Sequence, residues 1–272
     1  MKKLVQTFLL LSISGTSYAV GFPGPDSFGY EGSTIPLNLR DVSTTGNDVG
    51  LDNADDDTAT APIGFSFDYY GSSYTNVEIS SNGFITFTPT GDAECCSGES
   101  IPDASSPNNI IAGWWEDLDP GEGGIIRTAT VGAPGDREFI VGFYDVRDND
   151  DPDNVVNTFE IILHEATGDI ELAIEDIQFD DVDDKVVGIE NADGTDGIEV
   201  IFVESGDPTY TNGDSVISNQ GYCFSSGGTV CGAALAGDAR NIPAASPIGL
   251  ALLSAGLFAT GLFSRRRIRG RK

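Results

Sequence analysis

Between Val20 and Ser246 the apolar residues recur mainly with period two, in short runs ended by Gly, Asn, Asp or Pro. Ile63-Gly64-Phe65-Ser66-Phe67-Asp68-Tyr69 alternates large apolar with small or polar side chains. Val77-Glu78-Ile79 and Phe84-Ile85-Thr86-Phe87 flank Ser80-Ser81-Asn82-Gly83, and Asn-Gly tolerates the positive φ of a tight turn. Three further hairpins are expected. Gly124–Val131 pairs with Glu138–Val146, Thr158–Glu165 with Ile170–Ile177, and Val186–Glu190 with Ile198–Val203. No long helical stripe and no repeat of fixed length interrupts this pattern, which excludes propellers and solenoids. The expected fold is all-β: an antiparallel β-sandwich ectodomain over residues 63–231, after a polar or edge segment at 20–62. Its inner face is expected to carry Phe65, Phe67, Ile79, Phe84, Phe87, Trp114, Phe139 and Phe159, among others.

The two ends follow a different pattern. Residues 1–19 open with Lys2 and Lys3, continue into an apolar run and end in Ser17-Tyr18-Ala19, the layout of a secretory signal peptide cleaved after Ala19. Residues 232–246 read as a linker and sorting motif. Pro247–Ser264 is uncharged over 18 residues. As a helix it would extend about 27 Å, close to the hydrocarbon thickness of a bilayer, so a single C-terminal transmembrane helix is expected. Residues 265–272 form an Arg-rich tail that should stay cytoplasmic, with the bulk of the chain outside.

Charge sharpens this picture. The chain has 43 acidic and 14 basic residues, a net charge of −29, and every acid lies between Val20 and Ser246. Only Arg40, Arg127, Arg137, Arg147, Lys185 and Arg240 offset them there. Such a body repels phosphate backbones, which excludes nucleic acid as a partner.

Two resemblances add to the reading. Ile242-Pro243-Ala244-Ala245, then the apolar span, then Arg265-Arg266-Arg267 resembles the C-terminal sorting signal of Gram-negative exosortase substrates, the PEP-CTERM class, with Ile-Pro-Ala in place of Pro-Glu-Pro. The resemblance implies an exosortase-type enzyme as partner. It also implies passage across the inner membrane, brief anchoring, then release to the cell surface or its polysaccharide matrix. Gly64-Phe65-Ser66-Phe67-Asp68-Tyr69-Tyr70-Gly71, Ser80-Ser81-Asn82-Gly83-Phe84, Ile110–Leu118 and Val187-Gly188-Ile189-Glu190-Asn191 look like an extracellular β-sandwich related to the nidogen-like domains of adhesive matrix proteins. That resemblance implies an adhesive or matrix role and brings no catalytic residues.

The candidate chemistry is sparse. Cys95, Cys96, Cys223 and Cys231 in an exported chain suggest two disulfides. Pairing Cys223 with Cys231 leaves a vicinal 95–96 bridge; the competing pattern links Cys95 and Cys96 separately to Cys223 and Cys231. No cofactor is required, but three acidic clusters invite calcium. They are Asp52 with Asp55–Asp57; Asp148, Asp150, Asp151 and Asp153, the best of the three; and Asp180, Asp181, Asp183 and Asp184. The bland alternative is a solvated acidic surface. Of Trp114-Trp115, one ring should enter the core and the other, Trp115, should face outward, where it can stack on a sugar. His164 has no Ser or Cys partner at catalytic spacing and reads as a surface strand residue. The expectation is a non-enzymatic surface or matrix protein whose partners are extracellular polysaccharide or other surface proteins. A calcium- or glycan-binding module and a secreted polysaccharide hydrolase are the alternatives.

Overall fold

The computed structural model describes residues 22, 25–94, 97–149, 155–178, 183–206 and 217–227; among them are fourteen strands and no helix. In chain order these are β1 (Glu31–Ile35), β2 (Asn47–Asp48), β3 (Thr58–Tyr69), β4 (Ser72–Ser80), β5 (Phe84–Thr86), β6 (Ile110–Trp115), β7 (Leu118–Asp119), β8 (Ile125–Ala133), β9 (Asp136–Asp148), β10 (Val156–His164), β11 (Ile170–Asp176), β12 (Lys185–Glu190), β13 (Gly197–Val203) and β14 (Gln220–Ser225). One antiparallel sheet runs β1-β14-β11-β10-β9-β8-β2, with β7 also paired to β9. The other runs β13-β12-β6-β5-β4-β3. The signal peptide, the C-terminal span, the sorting residues Ile242, Pro243, Ala244 and Arg265–Arg267, and Cys95, Cys96 and Cys231 all lie outside the described residues.

The four hairpins read from the sequence are β4–β5, β8–β9, β10–β11 and β12–β13. From Ile63 to Tyr69 every odd residue is buried and every even one exposed, so the period-two pattern translates directly into an inner and an outer face. The inner faces meet in one core that includes Phe65, Phe67, Ile79, Phe87, Trp114, Phe139, Phe143, Phe159 and Ile161. Phe143 and Phe159 stack at 4.6 Å between ring centres.

Phe84 departs from expectation, whereas Trp115 leaves the inner core as expected. Phe84 lies on the outer face of its sheet, because Ile85 and Phe87 take the inward positions. On β6, the three steps from Ala112 to Trp115 oppose only two on β12, from Gly188 to Val186. The extra residue lets both Gly113 and Trp114 face the core, and Trp115 then emerges on the other side.

Both sheets are also covered over part of their outer faces. Over the first, Leu37, Leu39 and Val42 lie on Ile140, Tyr144, Ile162 and Ala173. The same segment carries Arg40, whose guanidinium bridges Glu138 and Glu171 at 2.8 Å each. The backbone N–H groups of Arg40 and Asp41 donate to the two carboxylate oxygens of buried Glu160 at 2.8 Å. Over the second sheet, residues 97–109 cross β5, β6 and β12, and Ile101 packs on Phe84, Ile110, Trp115 and Val186.

Asn82-Gly83 joins β4 to β5 as expected, with φ of +85° at Gly83. The Gly83 carbonyl accepts the N–H groups of Gly113 and Trp114 at 3.0 and 3.2 Å. A Cβ at Gly83 would stand 1.8 Å from the Trp114 carbonyl oxygen. Gly83→Ala is therefore expected to cost roughly 3 kcal/mol or more, read as a lower urea midpoint; an unchanged midpoint would refute this account of the turn.

Candidate functional site

Trp115 is 2% exposed and packs at 5.2 Å from the Phe84 ring, beneath the 97–109 loop. This corrects the outward-facing sugar platform: the ring does leave the inner core, but its face of the sheet is itself covered. The loop is held by backbone donors. Gly98 N–H donates to the Asp184 carbonyl at 2.6 Å, Ile101 N–H to Glu199 at 3.0 Å and Asp103 N–H to Glu190 at 2.7 Å.

Of the favoured calcium cluster, only Asp148 is among the described residues; Asp150, Asp151 and Asp153 are not. Asp148 is buried and accepts from the Asn157 amide at 2.5 Å. Cys223, on β14, is disulfide-bonded, and its partner lies outside the described residues. His164 lies 3.4 Å from Glu138 and 3.1 Å from Glu171, within the arrangement built around Arg40.

Two groupings occupy opposite ends of the six-stranded sheet; the first brings Asp117 to Asp55 and Asp56 of one expected acidic cluster, and the second was not expected from the sequence. At one end β3 begins, β6 ends and β12 begins. Lys185 and Glu116 are buried there as an ion pair at 2.8 Å, joining the start of β12 to the residue that follows β6. Beside them the carboxylates of Asp55, Asp56 and Asp117 approach to within 4.8 Å of one another. Asn82 donates to Asp56 at 2.8 Å, and Asn149 to Asp117 Oδ2 at 3.1 Å. Asp117 Oδ1 is shielded from solvent and receives no protein hydrogen bond. Burial, then the nearby charges of Asp56, Asp183 and Asp119, push the Asp117 carboxyl up from its usual range. Proximity of negative groups of this kind is what a bound cation would relieve.

At the other end β3 finishes, β4 and β6 begin, and β12 finishes. A cleft of about 480 Å³ opens there, lined by Phe28, Tyr70, Tyr74, Asn109, Asn191 and Asp193, among others. Asp26 accepts the Gly29 and Tyr30 N–H groups at 2.7 and 2.8 Å and the Tyr70 hydroxyl at 2.7 Å. Asp196 accepts the Ser27 and Phe28 N–H groups at 2.9 and 2.8 Å. The two carboxylates thus fix the turn that presents Phe28. Asn109 is fully buried; its amide N–H groups donate to Tyr74 and Thr88 at 2.9 Å, and its Oδ1 accepts no protein hydrogen bond. The signal in the sequence was faint, because the aromatic and amide residues come from four separated segments.

The NIDO-related family description matches residues 30–226, and the chain belongs to that family. The match bears out the nidogen-like resemblance and extends it on both sides of residues 63–203. No match was found among curated proteins or among solved structures.

The loop anchor Glu190 supplies a pH-dependent prediction. Burial raises its carboxyl from 4.5 to about 7, partly opposed by the hydrogen bond from Asp103 N–H and reinforced by the Asp103 and Glu99 charges. An acid with a raised folded pKa holds more protons folded than unfolded; its favourable contribution exists at low pH and is lost as pH rises through that window. Glu190→Gln, which cannot ionise, should gain stability relative to wild type between about pH 5 and about pH 8. Thermal melts at both values test this, and a constant difference would mean that Glu190 titrates normally.

Proposed function

We propose that this protein is a non-enzymatic, exported component of the cell surface or extracellular matrix, built on the NIDO-related sandwich and delivered through its C-terminal sorting signal. The observation that carries the reading is the family match over residues 30–226, since the family is consistent with an extracellular or surface module. The disulfide at Cys223 supports an oxidising compartment. The arrangement of Ile242-Pro243-Ala244, the Pro247–Ser264 span and Arg265-Arg266-Arg267 supports transient anchoring in the inner membrane of a Gram-negative cell and handling by an exosortase-type enzyme. Extracellular polysaccharide and other surface proteins are the partners this address offers. The protein should be recovered from extracellular polymer fractions, with mass spectrometry finding neither residues 1–19 nor the Arg-rich tail. An intact tail in the final product would defeat the sorting proposal, and reduced full-length chain in the cytosol would defeat export altogether.

A second reading, calcium binding, is favoured by one observation, the shielded and unsatisfied Asp117 Oδ1 beside Asp55 and Asp56. This replaces Asp148–Asp153 as the proposed location, with Asp55, Asp56 and Asp117 as ligands and water completing the coordination. Millimolar calcium should raise Tm by about 2–4 °C. Asp117→Asn should abolish the rise, and magnesium should not reproduce it. An unshifted melting curve would dispose of the calcium site.

A further inference from the structure

We infer that the aromatic cleft bounded by Phe28, Tyr70, Tyr74 and Asn109 is a binding site for neutral saccharides. The inference deepens the surface-protein reading and rests on it in one respect: glycans are what such a protein meets outside the cell.

Among the described residues only Phe28 and Val131 are large apolar side chains left exposed, and Phe28 is 47% exposed. An isolated exposed ring needs no explanation, but this one is built into place. Asp196 and Asp26 hold the backbone on either side of it, and the ring stacks on Tyr30 at 5.6 Å and leans on Tyr70 at 5.2 Å. Gly71, with φ of +79°, lies beneath: a Cβ there would touch the Phe28 ring at 3.4 Å. The aromatic surface is therefore rigid before any ligand arrives, which lowers the ordering cost of binding.

A pyranose ring has an apolar C–H face and a rim of hydroxyl groups, and the cleft offers a match to each. Phe28 and Tyr70 supply the apolar wall. Ser72, Asn191 and Asp193 provide polar groups around the rim. A cavity of about 480 Å³ falls within the usual range for small-molecule sites and has room for about one or two sugar rings. Asp193 and Asp196, with no cation among the lining residues, set the charge preference. Uronic acids and other anionic sugars are disfavoured, and neutral sugars are accepted.

The test uses full-length protein purified in mild detergent, so it succeeds or fails independently of where the cell delivers the chain. Saturation-transfer NMR and tyrosine fluorescence titration are run with cellobiose, maltose, chitobiose and digalacturonic acid. At least one neutral disaccharide should bind, with digalacturonic acid weaker than it. Phe28→Ala, an exposed change with little bearing on folding, should weaken binding about tenfold. Val131→Ala, at the other exposed apolar side chain, should leave binding unchanged. Absence of binding by every neutral disaccharide at millimolar concentration overturns the inference, as does binding that survives Phe28→Ala or a preference for digalacturonic acid.

Discussion

A strand carboxylate that accepts backbone N–H groups from a distant segment is the interaction on which the outer layers of this molecule depend. Glu160 holds Arg40 and Asp41, Glu190 holds Asp103, and Glu199 holds Ile101. Glu78 holds Thr90 and Gly91, and Asp196, in the turn just before β13, does the same for Ser27 and Phe28. With no helix among the described residues, crossing segments have many N–H groups that no ladder satisfies. A carboxyl group offers two oxygens and can bond two donors at once, as Glu160, Glu78 and Asp196 do. Part of the large acid excess is therefore internal structure rather than solvated surface, and the chain's few cations are not its only counterweight.

This explains which features were legible in the sequence. The hairpins and the alternation in β3 could be read directly because turn chemistry and side-chain period are local. Phe84 and Trp115 were harder: both lie on the outer face of their sheet, and that Ile101 and its loop cover this face is a matter of tertiary packing. The acids were harder still. Glu160 and its partners are separated by about 120 positions, so a composition-based reading could see only an acidic stretch. The aromatic cleft required Phe28, Tyr70, Asn109 and Asn191 to converge from different strands and turns, which is a property of packing alone.

The six-stranded sheet separates its two groupings of polar chemistry. Asp117 and Asn109 stand just beyond opposite ends of β6, about 25 Å apart at the rise of an extended strand. Between them the inner face is apolar and the outer face lies under the 97–109 loop. Glu190, at the far end of β12 from Lys185, fastens that loop close to Asn191 of the cleft. The loop thus spans the distance between a cation-attracting end and an aromatic end without opening a channel through the core.

The buried Lys185–Glu116 pair has a further consequence when set beside the other cations. Arg40, Arg127 and Arg137 are also ion-paired, with side chains only 10%, 15% and 26% exposed, and Lys185 is fully enclosed. Proteases that cut after basic residues need that side chain and several flanking backbone units free in an extended segment. Here those side chains are engaged, and all but Arg40 lie within strands. Among the described residues, these four basic side chains give trypsin-like enzymes no ready handhold.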